Sequence, residues 1–379
     1  MIREIKVKGI NGNKNYSLSF HEDINVITGK NGSGKTTLLK LMWYLISGNI
    51  ERALEEIDFK SVSLKADDYE ISISIAKNEM KNDIANIQYT IGSNKKSAVV
   101  LKSQRRVITM KDAVLPEEFD DVDDVNVLIA KASKQSIFFP TFRRIEGGFS
   151  ISGRGNRIRS TNFEESFNRI SDHLSVRNHK FIASVSTSDI VTLLTERYAD
   201  ISDQTNKLHN QLTSYIEEQL KFSANRKDNQ SDRSLLNDAN KVLDSIHNEL
   251  NEVTVTREKL LKPFTILSQL IEDVFQHKGI KVTNAITLGQ AKEAMFSDQL
   301  SAGEKQMLSF LCYNAFSENC PIFIDEPEIS LHVDWQRTLF PTLMAQSQNN
   351  QFFIATHSPF IYSKYSDKEV LLNDDRGGY

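Results

Sequence analysis

Apolar and polar residues alternate along the N-terminal part of the chain, a pattern that is typical of β-strands. The alternation covers residues 2–7 and 16–20, and it recurs over residues 57–110, where polar turns separate the apolar sets. A short and mostly apolar run at residues 24–28 predicts one buried strand. The pattern therefore predicts antiparallel strands in this region, with a single buried strand among them.

Apolar residues recur every three or four positions over residues 187–268, which predicts helices. A polar break at residues 223–234 divides this region, so we predict two amphipathic helices of about 25–30 residues that pair as a hairpin. We expect Pro263 to end the second helix, because proline lacks the N–H that a helix interior needs, and a further helix to follow at 264–275. The acidic run at residues 117–124 predicts a solvated loop.

The composition is that of an ordinary globular protein, with 39% hydrophobic residues, 25% charged residues and a formal net charge of -4 at pH 7. This charge does not mark the whole chain as a nucleic-acid binder, so any basic site must be local. Two cysteines give no disulfide framework, and no apolar run approaches the roughly 20 residues that span a bilayer. We therefore expect a cytoplasmic protein without membrane contact. Its 379 residues allow two or three domains, or one domain with a large insertion.

The most specific feature of the sequence is the stretch at residues 29–37, which reads GKNGSGKTT and matches the phosphate-binding pattern G-x-x-x-x-G-K-[ST]. It lies between the predicted buried strand and an apolar stretch that predicts a helix ending near Gly48. Glycines let the backbone bend around an anion, with its N–H groups at the positive end of the helix dipole. Lys35 would reach the β- and γ-phosphates and Thr36 would ligate Mg²⁺, so the sequence predicts a nucleotide-binding site.

Three further features occur late in the chain. Ser301 and Glu304 form a capping-box pattern, which fits either a plain capped helix or a helix N-terminus that meets another molecule's phosphate. An apolar strand then ends in Asp325, which suits Mg²⁺, and Glu326, which suits the role of general base. A second apolar strand ends at His357, for which we favour a contact to the γ-phosphate.

This order of motifs resembles the head of an ABC-type ATPase, and within that class it is most similar to the SMC, Rad50, RecF and OLD-like branch. Besides the phosphate loop, the resemblance rests on LSAGE at 300–304, DEPEISLH at 325–332 and THS at 356–358. The stretch FFPTFRRIE at 138–146 also looks like one found in AAA15- and AAA21-type ATPases. Many of those belong to bacterial anti-phage systems of the Septu, retron-linked and PARIS types. The motifs are specific for the ATPase and much less so for the biological system.

The resemblance implies an α/β fold, namely a P-loop ATPase head with a mixed sheet and an antiparallel subdomain, into which a helical lobe with a short hairpin is inserted. The implied boundaries are 1–140 and 291–379 for the two parts of the head and 141–290 for the lobe. Two heads would close over ATP and Mg²⁺ as a homodimer or higher oligomer, because the chain has one copy of each motif.

The resemblance also implies a role for each motif residue. Glu326 would activate water, and His357 would sense the γ-phosphate. The catalytic residues would be Lys35, Glu326 and His357, and the metal ligands Thr36 and Asp325. The nucleotide would be bound by Gly29, Asn31, Gly32, Ser33, Gly34, Lys35, Thr36 and Thr37 of one chain, and by Ser301 and Gly303 of a second copy.

The chain departs from the family pattern in three respects. The family's Q-loop glutamine cannot be assigned, and Gln135 is a weak candidate because it precedes its strand. The hairpin is far shorter than an SMC or Rad50 coiled coil and has no Cys-x-x-Cys hook. Only 22 residues follow His357, too few for the TOPRIM nuclease of OLD proteins, so we expect any associated nuclease to be another polypeptide.

A basic cluster lies within residues 141–160, where five arginines accompany one acidic residue. It could contact DNA or RNA phosphates, and it could equally pair with acids or sense the nucleotide. The five residues are Arg143, Arg144, Arg154, Arg157 and Arg159.

The leading interpretation is a nucleotide-dependent dimer switch that binds and hydrolyses ATP in a bacterial anti-phage defence system. It would control a separate effector protein, a nuclease or a toxin, encoded nearby. The alternative is a DNA repair or recombination ATPase of the RecF or Rad50 type that clamps DNA. A transporter ATPase subunit is a minor alternative, disfavoured by the insertion between the motifs.

Overall fold

The chain is described here from a computed structural model that covers residues 1–12, 14–77, 83–103, 106–108, 122–141, 169–183, 187–224, 232–274 and 301–372. The chain divides into two compact units. The first comprises Met1–Ser186, Ser301–Met307 and Ser317–Tyr379, and the second comprises Thr187–Leu300 and Leu308–Phe316. All strands of the described residues belong to the first unit.

Strands form at β1 (Ile2–Ile10), β2 (Lys14–Ser19), β3 (Ile24–Thr28), β4 (Ser61–Ala66), β5 (Tyr69–Lys77), β6 (Asp83–Ile91), β7 (Asn94–Ser103), β8 (Arg106–Ile108), β9 (Ser136–Phe139), β10 (His179–Phe181), β11 (Pro321–Asp325), β12 (Gln351–Ala355) and β13 (Glu369–Leu371). Helices form at α1 (Lys35–Ser47), α2 (Ile50–Glu56), α3 (Val122–Ala132), α4 (Thr187–Ala224), α5 (Asp232–Val274), α6 (Ala302–Ala315), α7 (Val333–Ala345) and α8 (Pro359–Tyr362). Short 3₁₀ helices form at Pro327–Ser330 and Ser363–Lys368.

Seven strands of the first unit form an antiparallel sheet in the order β2-β1-β4-β5-β6-β7-β8. Burial follows the alternation of the sequence, as in β4, where Val62, Leu64 and Ala66 are buried and their neighbours are more exposed. Side chains of a strand point alternately to its two faces, so such a pattern buries one face of the sheet. The antiparallel strands predicted from the alternation are confirmed.

The other six strands form a parallel sheet in the order β10-β9-β11-β12-β3-β13. Every residue of β3, β9, β11 and β12 is buried, as is usual for parallel strands that are covered on both faces. The carboxyl ends of parallel strands meet at one edge, where ligands of open α/β sheets bind. The phosphate loop and His357 follow such strand ends, and Asp325 is the last residue of β11. The two kinds of sheet confirm the predicted α/β class.

An aromatic cluster fixes helix α1, and with it the phosphate loop, to the parallel sheet. The Trp43 ring of α1 lies 5.7 Å from the Phe138 ring and 5.4 Å from the Phe181 ring, and Phe323 stacks on Phe353 at 4.9 Å. Such ring pairs contribute about 0.5–1.5 kcal/mol each beyond their buried area. The helix ends at Gly48, which adopts the left-handed conformation and donates its N–H to the Tyr44 carbonyl, as predicted.

The second unit contains the two long helices α4 and α5, of 38 and 43 residues, which are longer than the predicted arms. The expectation that Pro263 ends a helix is wrong, because α5 runs through it. Proline in a helix interior costs about 3 kcal/mol, so tertiary packing must offset it. The next residue, Phe264, supplies such packing: it is buried, with its ring 6.2 Å from that of Tyr198 and 4.7 Å from that of Phe316.

The acidic run was expected to be a loop, and this is wrong for its last two members. Asp123 and Asp124 lie exposed in the first turn of α3, where carboxylates interact favourably with the helix dipole. The rest of that run, residues 117–121, lies outside the described residues. Among the helices that are described, none combines the length and apolar character needed to span a bilayer.

Candidate functional site

The phosphate loop has the backbone geometry that its glycines predict. Gly32 and Gly34 have φ values of 75° and 95°, a region that side-chain-bearing residues rarely adopt, and Gly34 caps the N-terminus of α1. The Ser33 N–H donates to the Lys30 carbonyl at 3.0 Å, which closes the turn. The loop therefore joins β3 to the positive end of α1, the arrangement that binds anions.

The Lys35 side chain lies at the centre of the site and is only 6% exposed. Its ammonium group donates to the Gly29 carbonyl at 2.9 Å and lies 2.8 Å from His357 Nε2. An ammonium group can only donate, so His357 Nε2 accepts and the ring carries its proton on Nδ1. Burial lowers the pKa of Lys35, and three carboxylates, those of Glu326, Asp325 and Glu328, oppose this change.

Asp325 meets the phosphate loop directly. The Thr36 hydroxyl lies 3.0 Å from both of its carboxylate oxygens, and the Thr141 hydroxyl donates to Oδ2 at 2.5 Å. Asp325 is 2% exposed, and burial raises its pKa against the effect of the Thr141 and Thr36 hydroxyls. A carboxylate and a hydroxyl are the oxygen ligands that Mg²⁺ prefers, so the residues predicted as metal ligands are brought together and fit that ion.

Glu326 follows directly and has an unusual backbone. Its φ and ψ are 49° and 58°, the left-handed region, which costs a residue other than glycine roughly 1 kcal/mol. Its N–H donates to the Ala355 carbonyl at 2.8 Å, which holds this conformation, and the 3₁₀ helix that starts at Pro327 follows it. The half-exposed Glu326 is close enough for its charge to act on Lys35.

Glu328 is a site residue that the sequence analysis did not single out. Its carboxylate accepts hydrogen bonds from the Thr356 hydroxyl at 2.8 Å and from the His357 N–H at 2.7 Å. Burial raises its pKa, against the effect of the hydrogen bonds that it accepts. The sequence gives no signal for these contacts, because they join two loops that only the sheet brings together.

The start of helix α6 has the predicted capping box. The Ser301 N–H donates to Glu304 Oε2 at 2.6 Å, and the Glu304 N–H donates to Ser301 Oγ at 3.3 Å. Gly303 packs against the turn after Asp325 in its own chain, since a Cβ on it would lie 2.2 Å from the Ser330 carbonyl oxygen. Buried Gln306 donates to the Pro327 carbonyl at 3.3 Å. The contact of Ser301 and Gly303 with a second copy's nucleotide stays a prediction.

Side chains of the turn after β1 and of strand β2 bond the phosphate loop, a contact that sequence reasoning missed. Asn11 Nδ2 donates to the Thr37 hydroxyl at 3.3 Å, and the Tyr16 hydroxyl donates to the Ser33 carbonyl at 2.5 Å. Lys14 Nζ donates to the Gly32 carbonyl. These side chains support three residues that the sequence predicted as nucleotide contacts.

Two sequence candidates are not part of this cluster. Gln135 precedes β9 and donates to the Glu318 carbonyl at 2.6 Å, at the end of the strand opposite to Thr141. The basic cluster of Arg143, Arg144, Arg154, Arg157 and Arg159 lies outside the described residues, so its predicted contacts stay predictions.

Residues 1–362 match the protein family described as AAA ATPase domain. Among curated proteins, the endonuclease GajA of Bacillus cereus (strain VD045) is 26% identical over 164 residues, which are 38% of this chain and 27% of that protein. The Septu protein PtuA of Bacillus thuringiensis is 30% identical over 112 residues, 28% of this chain and 28% of that protein. The retron Ec83 probable ATPase of Escherichia coli is 23% identical over 207 residues, 50% of this chain and 36% of that protein. The chain thus spans 27% to 36% of the length of these relatives.

Two solved Smc heads also resemble the chain. They are the Smc head domain with an extended coiled coil bound to the C-terminal domain of ScpA, from Pyrococcus furiosus, and the SmcHead bound to the C-winged helix domain of ScpA. Their identities are 13% and 11% and their TM-scores 0.37 and 0.38, with 96% of this chain and 91% of each of theirs covered. The family match and the curated relatives confirm the expected resemblance to AAA15-type ATPases of Septu and retron-linked systems.

Proposed function

Because the chain belongs to the AAA ATPase domain family, we propose that it binds and hydrolyses ATP and acts as a nucleotide-dependent dimer switch. The observation that carries this proposal is the direct contact between three of its motifs. Lys35 lies 2.8 Å from His357, and Thr36 lies 3.0 Å from Asp325, although these partners are 322 and 289 residues apart in the chain. A chance glycine-rich turn would not bring these groups together.

In the proposed function, different residues of one chain bind the phosphates, hold the metal ion and activate water. The loop N–H groups and Lys35 bind the phosphates, and Lys35 exchanges its contact with His357 for phosphate oxygens. Thr36 and Asp325 would hold Mg²⁺, which would neutralise charge on the phosphates. Glu326 orients a water and accepts its proton. Once Lys35 has turned to the phosphates, His357 Nε2 no longer accepts from it, and the imidazole would contact the γ-phosphate as its Nε2–H tautomer.

We infer a dimer because one chain has each motif once and a complete site would need a second copy. Ser301 and Gly303 begin a helix whose N-terminus suits a γ-phosphate, and in the proposed dimer they serve the nucleotide of a second copy. ATP then joins two heads and hydrolysis releases them. Through this contact, ATP bound at the phosphate loop would control the oligomeric state.

We place this switch in bacterial anti-phage defence, as the sensor or scaffold that controls a separate effector, a nuclease or toxin encoded nearby. The support is the similarity to the Septu protein PtuA and to the retron Ec83 probable ATPase, which is confined to parts of those proteins. The alternative of a DNA-clamping repair ATPase rests on the basic cluster outside the described residues, and nothing in the described part of the chain favours it.

Phosphate release with Mg²⁺ and ATP tests the activity. Lys35→Ala should abolish both ATP binding and turnover, while Lys65→Ala, which removes an exposed lysine from β4, should change neither. Equal turnover by the wild type and Lys35→Ala would contradict the assigned site. If the wild type releases no phosphate from ATP, even at high protein concentration, the proposed ATPase activity is contradicted.

Phage plating tests the biological role. Cells that carry the gene with its natural neighbours should resist infection, and Lys35→Ala should remove that resistance while Lys65→Ala keeps it. Equal plating on cells with and without the gene would contradict defence. Increased sensitivity to DNA-damaging agents in a deletion strain, without any change in plating, would favour the repair alternative.

A further inference from the structure

The loop that carries His357 is hydrogen-bonded by the side chain of Glu328, which lies in the turn after Asp325. Glu328 accepts from the Thr356 hydroxyl at 2.8 Å and from the His357 N–H at 2.7 Å. Thr356 is 1% exposed, whereas the His357 side chain is exposed. An exposed side chain has little packing to fix it, so the position of the imidazole depends on its contact with Lys35 and on the bonds that Thr356 and the His357 N–H make to Glu328.

Gln336 of helix α7 extends the same network. Its amide donates to the Leu331 carbonyl at 2.8 Å, and its Oε1 accepts from the Ser358 hydroxyl at 2.6 Å. The Ser358 N–H in turn donates to the Thr356 hydroxyl oxygen at 2.9 Å. The loop is therefore bonded at each of its three residues 356–358.

The turn that contains Glu328 also contains Glu326. The Ile329 N–H donates to the Glu326 carbonyl at 3.3 Å, and the Glu326 N–H donates to the Ala355 carbonyl at 2.8 Å. Glu328 thus links the two residues that the proposed function assigns to water activation and γ-phosphate contact.

We propose that Glu328 is a positioning residue, which sets His357 relative to Glu326 and Lys35 through its hydrogen bonds and not through its charge. The inference rests on the proposed ATPase function. Both carboxylate oxygens of Glu328 are engaged with donors of the His357 loop, which leaves the base and metal roles to Glu326 and Asp325.

The substitution Glu328→Gln separates hydrogen bonding from charge. A glutamine oxygen can accept from the His357 N–H, and its amide can donate to the Thr356 oxygen once that hydroxyl turns round. Glu328→Ala removes both bonds and leaves two donors unpaired. Glu328→Gln should therefore restore what Glu328→Ala loses.

Steady-state ATP turnover gives the first readout. Glu328→Ala should lower kcat by about 10- to 100-fold with KM within about threefold, because a misplaced group slows the reaction while the phosphate loop still binds ATP. Thr356→Val should act in the same direction, and Glu328→Gln should stay within about fivefold of the wild-type kcat. If Glu328→Gln is as slow as Glu328→Ala, the charge is what matters and the proposal is overturned. An unchanged kcat in Glu328→Ala overturns it as well.

Gln351 provides a matched control at the other end of the same strand, β12. Its buried amide bonds Ile2 N–H at 2.8 Å, the Ile2 carbonyl at 2.8 Å and the His21 carbonyl at 2.7 Å. Gln351→Leu removes these bonds and should lower the melting temperature without lowering kcat of the folded protein. An equal fall in kcat for Gln351→Leu and Glu328→Ala would show that Glu328 acts only through the stability of the fold, which overturns the proposal.

Amide hydrogen exchange without nucleotide gives a readout that does not depend on catalysis. The peptide that covers residues 356–358 should exchange faster in Glu328→Ala than in the wild type and Glu328→Gln. Equal exchange in all three overturns the proposal even if ATP is hydrolysed. Should the wild type fail to hydrolyse ATP, the proposed function falls, and the exchange result still decides whether Glu328 fixes the loop.

Discussion

Three carboxylates within four residues have three different environments in this structure. Asp325 is buried and meets two threonine hydroxyls, Glu326 is half-exposed beside Lys35, and Glu328 is bonded to the His357 loop. The environment of a carboxyl group sets its chemistry, and two neighbouring carboxyl groups can differ in protonation state for this reason. Under the proposed function these three carboxylates would serve metal binding, water activation and loop positioning.

Glu326→Gln should keep ATP binding and reduce turnover by orders of magnitude, because the amide cannot accept the proton of the attacking water. The ATP-bound variant should also accumulate as a dimer, since release depends on hydrolysis. Single-turnover phosphate release and light scattering with ATP measure the two effects. Turnover at the wild-type rate would show that another group is the base.

Asp325→Asn should raise the melting temperature by a few degrees without Mg²⁺ and should abolish Mg²⁺-dependent turnover. Burial raises the pKa of Asp325, so the folded protein retains this proton more strongly than the unfolded chain does. The wild type therefore loses stability as pH rises from the usual value of 3.8 through the raised pKa, and the advantage of the asparagine should grow over that window.

Asp67 offers a control of opposite sign for that experiment. Its pKa is lowered, chiefly by the hydrogen bond from Arg3, which donates at 2.5 Å. Its contribution to stability is present above pH 3.8 and is lost as pH falls, so Asp67→Asn should lower the melting temperature at neutral pH. If both variants are destabilised alike, the buried carboxylate of Asp325 is not the strained group that its environment indicates.

At the scale of elements, the N-terminus of α6 combines a structural and a proposed functional role. Glu304→Ala removes one half of the capping box, whereas Ser301→Ala removes the other half together with the proposed phosphate contact. Both should lower stability by about 1 kcal/mol, the usual effect of losing a helix cap. Only Ser301→Ala should lower ATP turnover of the folded protein. Equal turnover in the two variants would assign Ser301 to capping alone.

The elements of the site could be predicted where their determinants are local. The phosphate loop, the strand ending at Asp325 and the capping box are each specified by fewer than ten neighbouring residues, and all three were predicted. Thr141 was missed because its bond to Asp325 joins residues 184 positions apart. Pro263 was misread because packing around Phe264 overrides the local preference of proline. Contacts between distant strands, and tertiary packing that compensates for an unfavourable residue, leave no periodic signal in the sequence.

At the scale of the whole molecule, the first unit contains all the nucleotide-site residues that are described. The phosphate loop, Ser301, Asp325 and His357 belong to it although they come from both ends of the chain. The long helices α4 and α5 belong to the second unit together with Leu308–Phe316, and this unit supplies none of these groups. One chain has each motif once, so the proposed composite site predicts that two copies must meet.

Mixing two defective variants tests that prediction directly. Lys35→Ala damages the site in its own chain, and Ser301→Ala damages the site that its helix completes on the other chain. In a mixed dimer both defects fall on one site and the second site is intact, so a mixture of two slow proteins should regain activity. Random pairing makes about half of the dimers mixed, each with one good site, so roughly a quarter of wild-type turnover should return if the sites act independently. A mixture no faster than the average of its two components would mean that each chain completes its own site, and the dimer switch would have to be abandoned.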